Sequence, residues 1–396
     1  MLENSWQQEL HRELAGNILP FWIQHSRDVE NGGFYGSLSK DHVVDNQAPR
    51  SAILTARILW TFSAAYRFES RPEYLAMAQY AYSYLSQKFI DGRHGGVYWT
   101  IDAEGQPLQD RKHSYAQAFA IYGLSEYYHA CADLAALRMA QNLFELVDHF
   151  VYEPVYGGYL EGRARDWSPT ADMRLSEKET DAQKSMNTLL HLLEAFTNLY
   201  KVWPDRHLRK RIIELTNIFL DDIIDPSRQH LQLLFDDGWN SLVNIVSYGH
   251  DIEASWLLLE SAEVPGIAEL TERVKSASVL LAQAVFDKGL WPDGSVVLEQ
   301  DEYGNRNTER HWWPLAEGMV GFYNAYQITG QQHFARASQR CWQFAKERMV
   351  DRQHGDWFKV LDATYQPKPG YPKMGAWECP YHHARACLEM MRRLGK

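Results

Sequence analysis

His94-Gly95-Gly96-Val97-Tyr98-Trp99 joins two glycines to a run that ends in aromatic residues, and segments of the same kind return along the chain. They are Asn31-Gly32-Gly33-Phe34-Tyr35, Tyr156-Gly157-Gly158-Tyr159, Lys288-Gly289-Leu290-Trp291 and His354-Gly355-Asp356-Trp357-Phe358, with His230-Leu231-Gln232-Leu233-Leu234-Phe235 as a degenerate copy in the remaining gap. With Gly32, Gly95, Gly157, Leu231, Gly289 and Gly355 as markers, the intervals are 63, 62, 74, 58 and 66 residues, so six units of similar length account for all 396 residues. A repeat of this length outranks local propensity as evidence for a fold.

Outward from each marker the apolar residues take helical spacing, as in Ala52-Ile53-Leu54-Thr55-Ala56-Arg57-Ile58-Leu59-Trp60 and Thr188-Leu189-Leu190-His191-Leu192-Leu193-Glu194-Ala195-Phe196. Twelve helices are expected, starting near residues 3, 49, 72, 113, 133, 182, 205, 247, 266, 310, 331 and 379. Each marker follows an odd-numbered helix, and its glycine and aromatic residues suit a short turn or small strand pair leading into the even-numbered one. Six helical hairpins predict an all-α fold, an (α/α)6 barrel with one helix of each pair inside and one outside, spanning residues 1–396 as one catalytic domain. The alternative is an open solenoid of helix pairs; six is the number that closes.

Bulk composition narrows the function. Hydrophobic residues make up 45% and charged residues 23%, the balance of a globular protein. No apolar run approaches the roughly 20 residues needed to cross a bilayer, and Met1-Leu2-Glu3-Asn4-Ser5-Trp6 lacks the basic start and apolar stretch of a secretory signal, so a cytoplasmic location with no membrane partner is expected. Cys131, Cys341, Cys379 and Cys387 are too few and too scattered for a disulfide framework and have no Cys-x-x-Cys spacing; they read as reduced and mostly buried. A net charge of -11 repels a phosphate backbone, which excludes nucleic acid as an expected partner. The 14 Trp and 22 Tyr can be core, but an excess of Trp also suits stacking against the apolar faces of sugar rings. A monomer or weak homodimer is expected.

The even-numbered helices carry polar residues close to their first turns: Arg50, then His113 with Tyr115, Asn187 with His191, His250 with Glu253, Trp313 with Glu317, and His382. In a barrel of hairpins these helices run the same way, so the residues gather at one end, where helix N-termini favour an oxyanion. Each alone has a bland explanation: a hydrogen-bonded structural histidine, an Arg50 that simply pairs with a carboxylate, a Trp256 that belongs to the core. The signal is their coincidence along the even-numbered helices. His250-Asp251-Ile252-Glu253 places His250 and Glu253 on one helical face, where the carboxylate can orient the imidazole. The same spacing occurs in metal sites, with His191 and His382 as further ligands, but no cysteine or dense carboxylate set accompanies them and no metal is expected. A glycosidase would need two carboxylates from Asp251, Glu253, Glu317 and Glu378. Three histidines and an arginine are instead what proton transfer beside a carbonyl requires: a base near neutral pKa, a group to return the proton, and cations for the enediolate. A non-catalytic carbohydrate-binding barrel is the rival from another class.

On Ser185-Met186-Asn187-Thr188 with His191-Leu192-Leu193-Glu194-Ala195, on Ser247 to Trp256, on Trp312-Trp313 with Ala316-Glu317, and on Trp377 with Cys379-Pro380-Tyr381-His382, the chain resembles the N-acylglucosamine 2-epimerase superfamily, and within it the cellobiose 2-epimerase branch, over essentially its whole length. The resemblance implies the (α/α)6 barrel, a carbohydrate 2-epimerase needing no cofactor, and a substrate among cellobiose, mannobiose, lactose, mannose and glucose, with a mannose isomerase or monosaccharide 2-epimerase as the alternative. Carried over by position, it makes His250 and His382 the acid/base pair. His191 and Arg50 would hold the enediolate, Glu253 would orient His250, and Glu317 with Asn187 would set up the site. Trp256, Trp313, Trp377 and Tyr115 would contact the sugar. The chain departs from many relatives at Leu315, Glu378 and His383, which bears on substrate choice more than on reaction type.

Overall fold

The computed structural model describes residues 2–175 and 180–395. The first helical rod runs through α1 (Leu2–Glu13), a π-helical turn (Leu14–Ile18) and α2 (Leu19–His25). Eleven more follow: α3 (Ala52–Phe68), α4 (Pro72–Tyr84), α5 (Ser114–Cys131), α6 (Leu134–Phe150), α7 (Met186–Val202), α8 (Arg206–Ile218), α9 (Tyr248–Glu263), α10 (Ala268–Lys288), α11 (Trp312–Thr329), α12 (Gln332–Phe344) and α13 (Tyr381–Leu394). Every rod starts within four residues of its sequence expectation.

Burial sorts the rods into two layers. α3 is buried without a break from Ala52 to Ala65 and α5 from Ser114 to Tyr127, the pattern of helices surrounded on all sides. α6 buries a single stripe, Ala136, Ala140, Leu143, Phe144 and Val147, and so belongs outside. The inner helices pack in the order α3, α5, α7, α9, α11, α13, and α13 returns to α3. That last contact decides for the closed barrel over the open solenoid. Among the described residues no helix is long and apolar enough to cross a membrane, and the four cysteines are free, three of them buried.

Two rings of small strands hold the end of the barrel where the inner helices begin. Each marker forms a one- or two-residue hairpin: Arg27 with Phe34, Ile90 with Val97, Tyr152 with Tyr159, Ile224 with Leu231, Leu290 with Val296 and Val350 with Trp357. Gly95 and Gly96 both have positive φ, and a Cβ on Gly96 would lie 2.6 Å from Trp167, so the tight turn and the close approach require glycine. The strand before each inner helix pairs with the next unit: Arg50 with Ile101, Lys112 with Arg163, Lys184 with Phe235, Val246 with Gln300, Arg310 with Leu361, and Met374 back with Leu38. The zipper therefore closes through the same six units.

An ion pair staples the two rings together in five units. Asp28 holds Arg50 at 2.8 Å, Asp91 holds Lys112 at 3.1 Å, Glu153 holds Lys184 at 3.2 Å, Asp293 holds Arg310 at 3.1 Å and Asp351 holds Lys373 at 2.8 Å. Each acid also accepts backbone N–H groups of its own turn, such as those of Glu30 and Asn31 on Asp28. In the fourth unit Val246 stands at the basic position, and Asp251 ties the turn instead through His230 Nδ1 (2.7 Å) and the Leu231 N–H.

Candidate active site

Inside the stapled rim lies a cavity of about 280 Å3, lined by Arg57, Tyr115, Leu175, Asn187, His191, His250, Glu253, Trp312, Trp313, Trp377 and His382. All six inner helices contribute. A larger hollow, about 680 Å3, opens at the opposite end of the barrel among the last turns of α9, α11 and α13 and has no histidine in its wall.

His250 sits in the first turn of α9. Ser51 and Ser185, just before α3 and α7, cap their helices by accepting backbone N–H groups. Ser247 in the same place before α9 caps nothing; its Oγ lies 2.7 Å from His250 Nδ1, which leaves Nε2 for the cavity. Burial, with His191 adding like charge, pulls the His250 imidazole down to about 3, so it is neutral at neutral pH. His382 opens α13 with Nδ1 2.7 Å from Glu317 Oε1. An ionised carboxylate only accepts, so Nδ1 carries the proton and Nε2 is free to act as a base. Burial, helped by Arg57 and Arg385, holds His382 well below its ordinary value. The two rings flank one indole: Trp313 lies 4.8 Å from the His250 ring and 5.7 Å from that of His382.

His191 points Nδ1 at Glu194 Oε2 (2.9 Å) and packs on Phe119 and Tyr115. Burial pushes the Glu194 carboxyl up, but Arg385 and His191 override it and draw it down to about 2. Arg57 is 3% exposed, donates to the Tyr115 hydroxyl at 2.8 Å and stacks 4.1 Å over Phe119, with no carboxylate within ion-pair distance among the described residues. A buried guanidinium without a carboxylate is expensive in a folding sense, and here it faces the cavity.

Behind the histidines, Arg385 joins Glu253 Oε1 at 2.8 Å and Glu317 Oε1 at 2.7 Å and also meets Glu194 and the Tyr381 hydroxyl. Burial and the neighbouring Glu317 push Glu253 up to about 8, and burial raises Glu317 as well. Among the described residues the one group spaced to hold a metal is Glu253, Glu317 and His382. His191 and His250 are not part of it, and Arg385 already places positive charge on both carboxylates.

The structure brings together His250, His382, His191, Tyr115, Asn187, Glu253, Trp313 and Trp377 from the sequence reading, with Glu317 directly behind His382. Three assignments change. Arg50 is not in the cavity wall; it stands in the short strand before α3 as the rim partner of Asp28, both 1% exposed, and Arg57, in the second turn of α3, lines the cavity. Trp256 contacts the far hollow rather than the cavity, donates Nε1 to Glu317 Oε2 at 3.0 Å and is 2% exposed, so it supports a carboxylate instead of a sugar. Glu253 bonds Arg385 and lies 3.9 Å from His382 Nδ1, while Ser247 is the partner of His250. His113 caps α5 by accepting the Tyr115 N–H at 3.2 Å, and His383 is held by Asp356 at 2.6 Å. Arg57 and Arg385 escaped the sequence reading, while Glu194, Ser247 and Trp312 stood in the motifs that carry the resemblance without being given a role. The first had a signal, being the single charge in the apolar run Ala52 to Tyr66. Glu194 had another, the same i, i+3 spacing after His191 that was used for His250.

These features match a known group of proteins. The N-acylglucosamine 2-epimerase (GlcNAc 2-epimerase) family is matched over residues 33–386, and the chain belongs to that family. It is 43% identical to a cellobiose 2-epimerase of Bacteroides fragilis over 97% of this chain and 98% of that one, and 36% identical to a cellobiose 2-epimerase of Dictyoglomus turgidum over 98% of each. A solved structure of cellobiose 2-epimerase from Bacillus thermoamylovorans B4167 superposes with a TM-score of 0.94 at 40% identity, covering 98% of this chain and 100% of the other. A D-mannose isomerase structure shares the fold with a TM-score of 0.84 at 20% identity over 97% of each chain. By this kinship the chain is an isomerase of the carbohydrate epimerase class.

Proposed function

We propose that the chain interconverts glucose and mannose at the reducing end of β-1,4-linked disaccharides, as a cellobiose 2-epimerase, by proton transfer at C-2 through a cis-enediolate. The observation that carries the proposal is the pair of imidazoles flanking Trp313 in one cavity, beside the buried cation of Arg57. A second hollow of about 430 Å3 shares Leu175 and Trp377 with the cavity and is lined by Trp99, Gln109, Arg111, Asp172 and Arg174. That extension supports a two-unit substrate, with the reacting unit on the histidines and the other unit outside.

The sugar opens to its aldehyde, which acidifies the C-2 hydrogen. One imidazole takes that proton at Nε2, and the C–H electron pair moves toward O-1 to give the enediolate, held by Arg57 and His191. The other imidazole delivers a proton to the opposite face, and the ring closes as the epimer. Two bases are needed because one base returning its proton to the same face restores the starting sugar. Burial keeps both imidazoles neutral in the free site, so the delivering imidazole takes a proton from water at Nε2 as negative charge develops on the substrate, and the abstracting imidazole returns its own proton to water afterwards. Glu317 marks His382 as the ring better able to hold the added proton, and Glu253, with its carboxyl raised to about 8, lies 3.9 Å from His382 Nδ1 without adding a full negative charge there at neutral pH.

Positive charge at the site comes from arginines of the chain, which supports turnover without metal or nicotinamide. The whole chain acts as one catalytic unit in this proposal. The net charge of -11 supports a monomer or weak homodimer that does not bind nucleic acid or an anionic membrane surface. Incubation with cellobiose, followed by product identification, tests the proposal: 4-O-β-glucosyl-mannose is expected, and turnover of mannose or glucose with cellobiose untouched would overturn it.

A further inference from the structure

We propose that Arg385 is a positioning residue that fixes the three carboxylates behind the catalytic imidazoles and thereby sets the proton affinity of the His382–Glu317 pair. The inference rests on the reading of His382 as an acid/base group. Arg385 is 1% exposed and absent from the cavity wall, so it acts through its neighbours and not on the sugar. Its guanidinium lies between two rings, 4.8 Å from Trp256 and 4.2 Å from Tyr381, and so has one available plane. In that plane it reaches three inner helices at once: Glu194 of α7, Glu253 of α9 and Glu317 of α11. A lysine ammonium directs three donors tetrahedrally from a single atom and does not reproduce this planar, multi-branched arrangement.

The charge count gives this position its effect. The groups facing the cluster are Glu194 and His191 from α7, Glu253 and His250 from α9, Glu317 from α11, Arg57 from α3, Tyr115 and Tyr122 from α5, and Tyr381 and His382 from α13 itself. Three acids share one bonded guanidinium. Full ionisation would leave a buried net negative charge, so Glu253 keeps its proton while Glu194 and the His382–Glu317 pair do not need to. Removing the guanidinium takes a positive charge away from His382 and Glu317, and the pair then binds its extra proton at higher pH. The base is lost where that proton is held, so the acid limb of the rate profile moves up with it.

The test uses Arg385→Met and Arg385→Lys in the full chain, with folding checked by circular dichroism. For Arg385→Met, kcat is expected to fall by at least about 100-fold with KM changed only a few-fold, and the acid limb of kcat/KM to rise by about one pH unit or more. Arg385→Lys retains the charge, so its limb is expected within about half a unit of wild type while kcat still falls by roughly tenfold or more, because the fork is gone. NMR titration of the His382 ring in substrate-free protein reads the same shift without turnover. An enzyme that fails to epimerise any disaccharide thus sinks the functional reading while this inference remains measurable. Wild-type kcat in either variant, or an Arg385→Met protein whose acid limb and His382 titration stay in place, overturns the role of Arg385. Should Arg385→Met not fold, the lysine variant decides alone, by its loss or retention of kcat.

Discussion

The rim and the centre of the barrel are built from the same chemistry, buried carboxylates on buried cations, with opposite results. At the rim each acid has at least one base of its own and accepts backbone N–H groups besides. Although burial pushes these carboxyls up, the hydrogen bonds and the Arg or Lys win, and Asp28, Asp91, Glu153, Asp293 and Asp351 all lie below the ordinary range. At the centre Glu194, Glu253 and Glu317 share the one guanidinium of Arg385, and burial wins at two of the three: Glu253 rises to about 8 and Glu317 rises with it. Saturated pairs hold structure, whereas an undersupplied cluster keeps a mobile proton beside a base. The stoichiometry of charge, more than its presence, separates scaffold from chemistry here.

The sharpest way to break this comparison is to remove in turn Arg50, just before α3, and Arg57, in its second turn. Arg57→Met should lower kcat by roughly 100- to 1,000-fold, the scale of a lost oxyanion donor, and leave the melting temperature nearly unchanged. Arg50→Met should leave kcat per folded molecule within a few-fold while costing about 3–5 kcal/mol of stability, since Asp28 is left as a buried unpaired charge. Steady-state kinetics and thermal denaturation on both variants check this; the reverse pattern would restore Arg50 to the active site.

pH separates the two regions next. The rim carboxyls have lowered pKa values in the fold, so their stabilisation is complete above the unfolded carboxylate pKa, near 4, and is lost as pH falls through the lowered values. Glu253 has a raised value, so its cost is absent in acid, grows as pH rises above the unfolded carboxylate pKa, near 4, and is complete once pH passes about 8. Unfolding curves should show both flanks, and the kcat/KM profile should fall on its alkaline side near pH 8. Glu253→Gln imitates the protonated acid and should abolish that alkaline flank while keeping activity within about tenfold of wild type. An alkaline flank that persists in the variant would assign it to another group.

The smallest effect belongs to Ser247. Ser247→Ala removes the partner of His250 Nδ1 without touching a carboxylate, so a loss of only a few-fold to about tenfold in kcat is expected, the worth of one neutral hydrogen bond. Stability should change little, because Ser247 caps no backbone group of α9.

The architecture was legible because it repeats. Five glycine-aromatic turns and one degenerate copy mark six units, and the need for positive φ at Gly32, Gly95, Gly157 and Gly355 writes glycine into four of those turns at comparable places. The convergence of His191, His250 and His382 followed from helix direction alone. What could not be read was which of two nearby arginines points inward: Arg50 stands in the strand just before α3 and Arg57 in its second turn, and the choice depends on Asp28, which comes from a different turn of chain. The partner of His250 was hidden for a similar reason. Spacing favoured Glu253, but Arg385, 132 residues away in sequence, claims that carboxylate, and Ser247 turns from capping to the imidazole. Trp256 is as aromatic as Trp313 and was indistinguishable from it until burial placed it behind Glu317.

The central claim is that the two imidazoles serve opposite faces of one carbon, and separated half-reactions test it most directly. With His250→Asn and His382→Asn each incubated in deuterium oxide, neither variant should epimerise, yet one should exchange the C-2 hydrogen of cellobiose and the other that of 4-O-β-glucosyl-mannose. Exchange of both sugars by the same variant, or full epimerisation by either, would contradict a mechanism divided between His250 and His382.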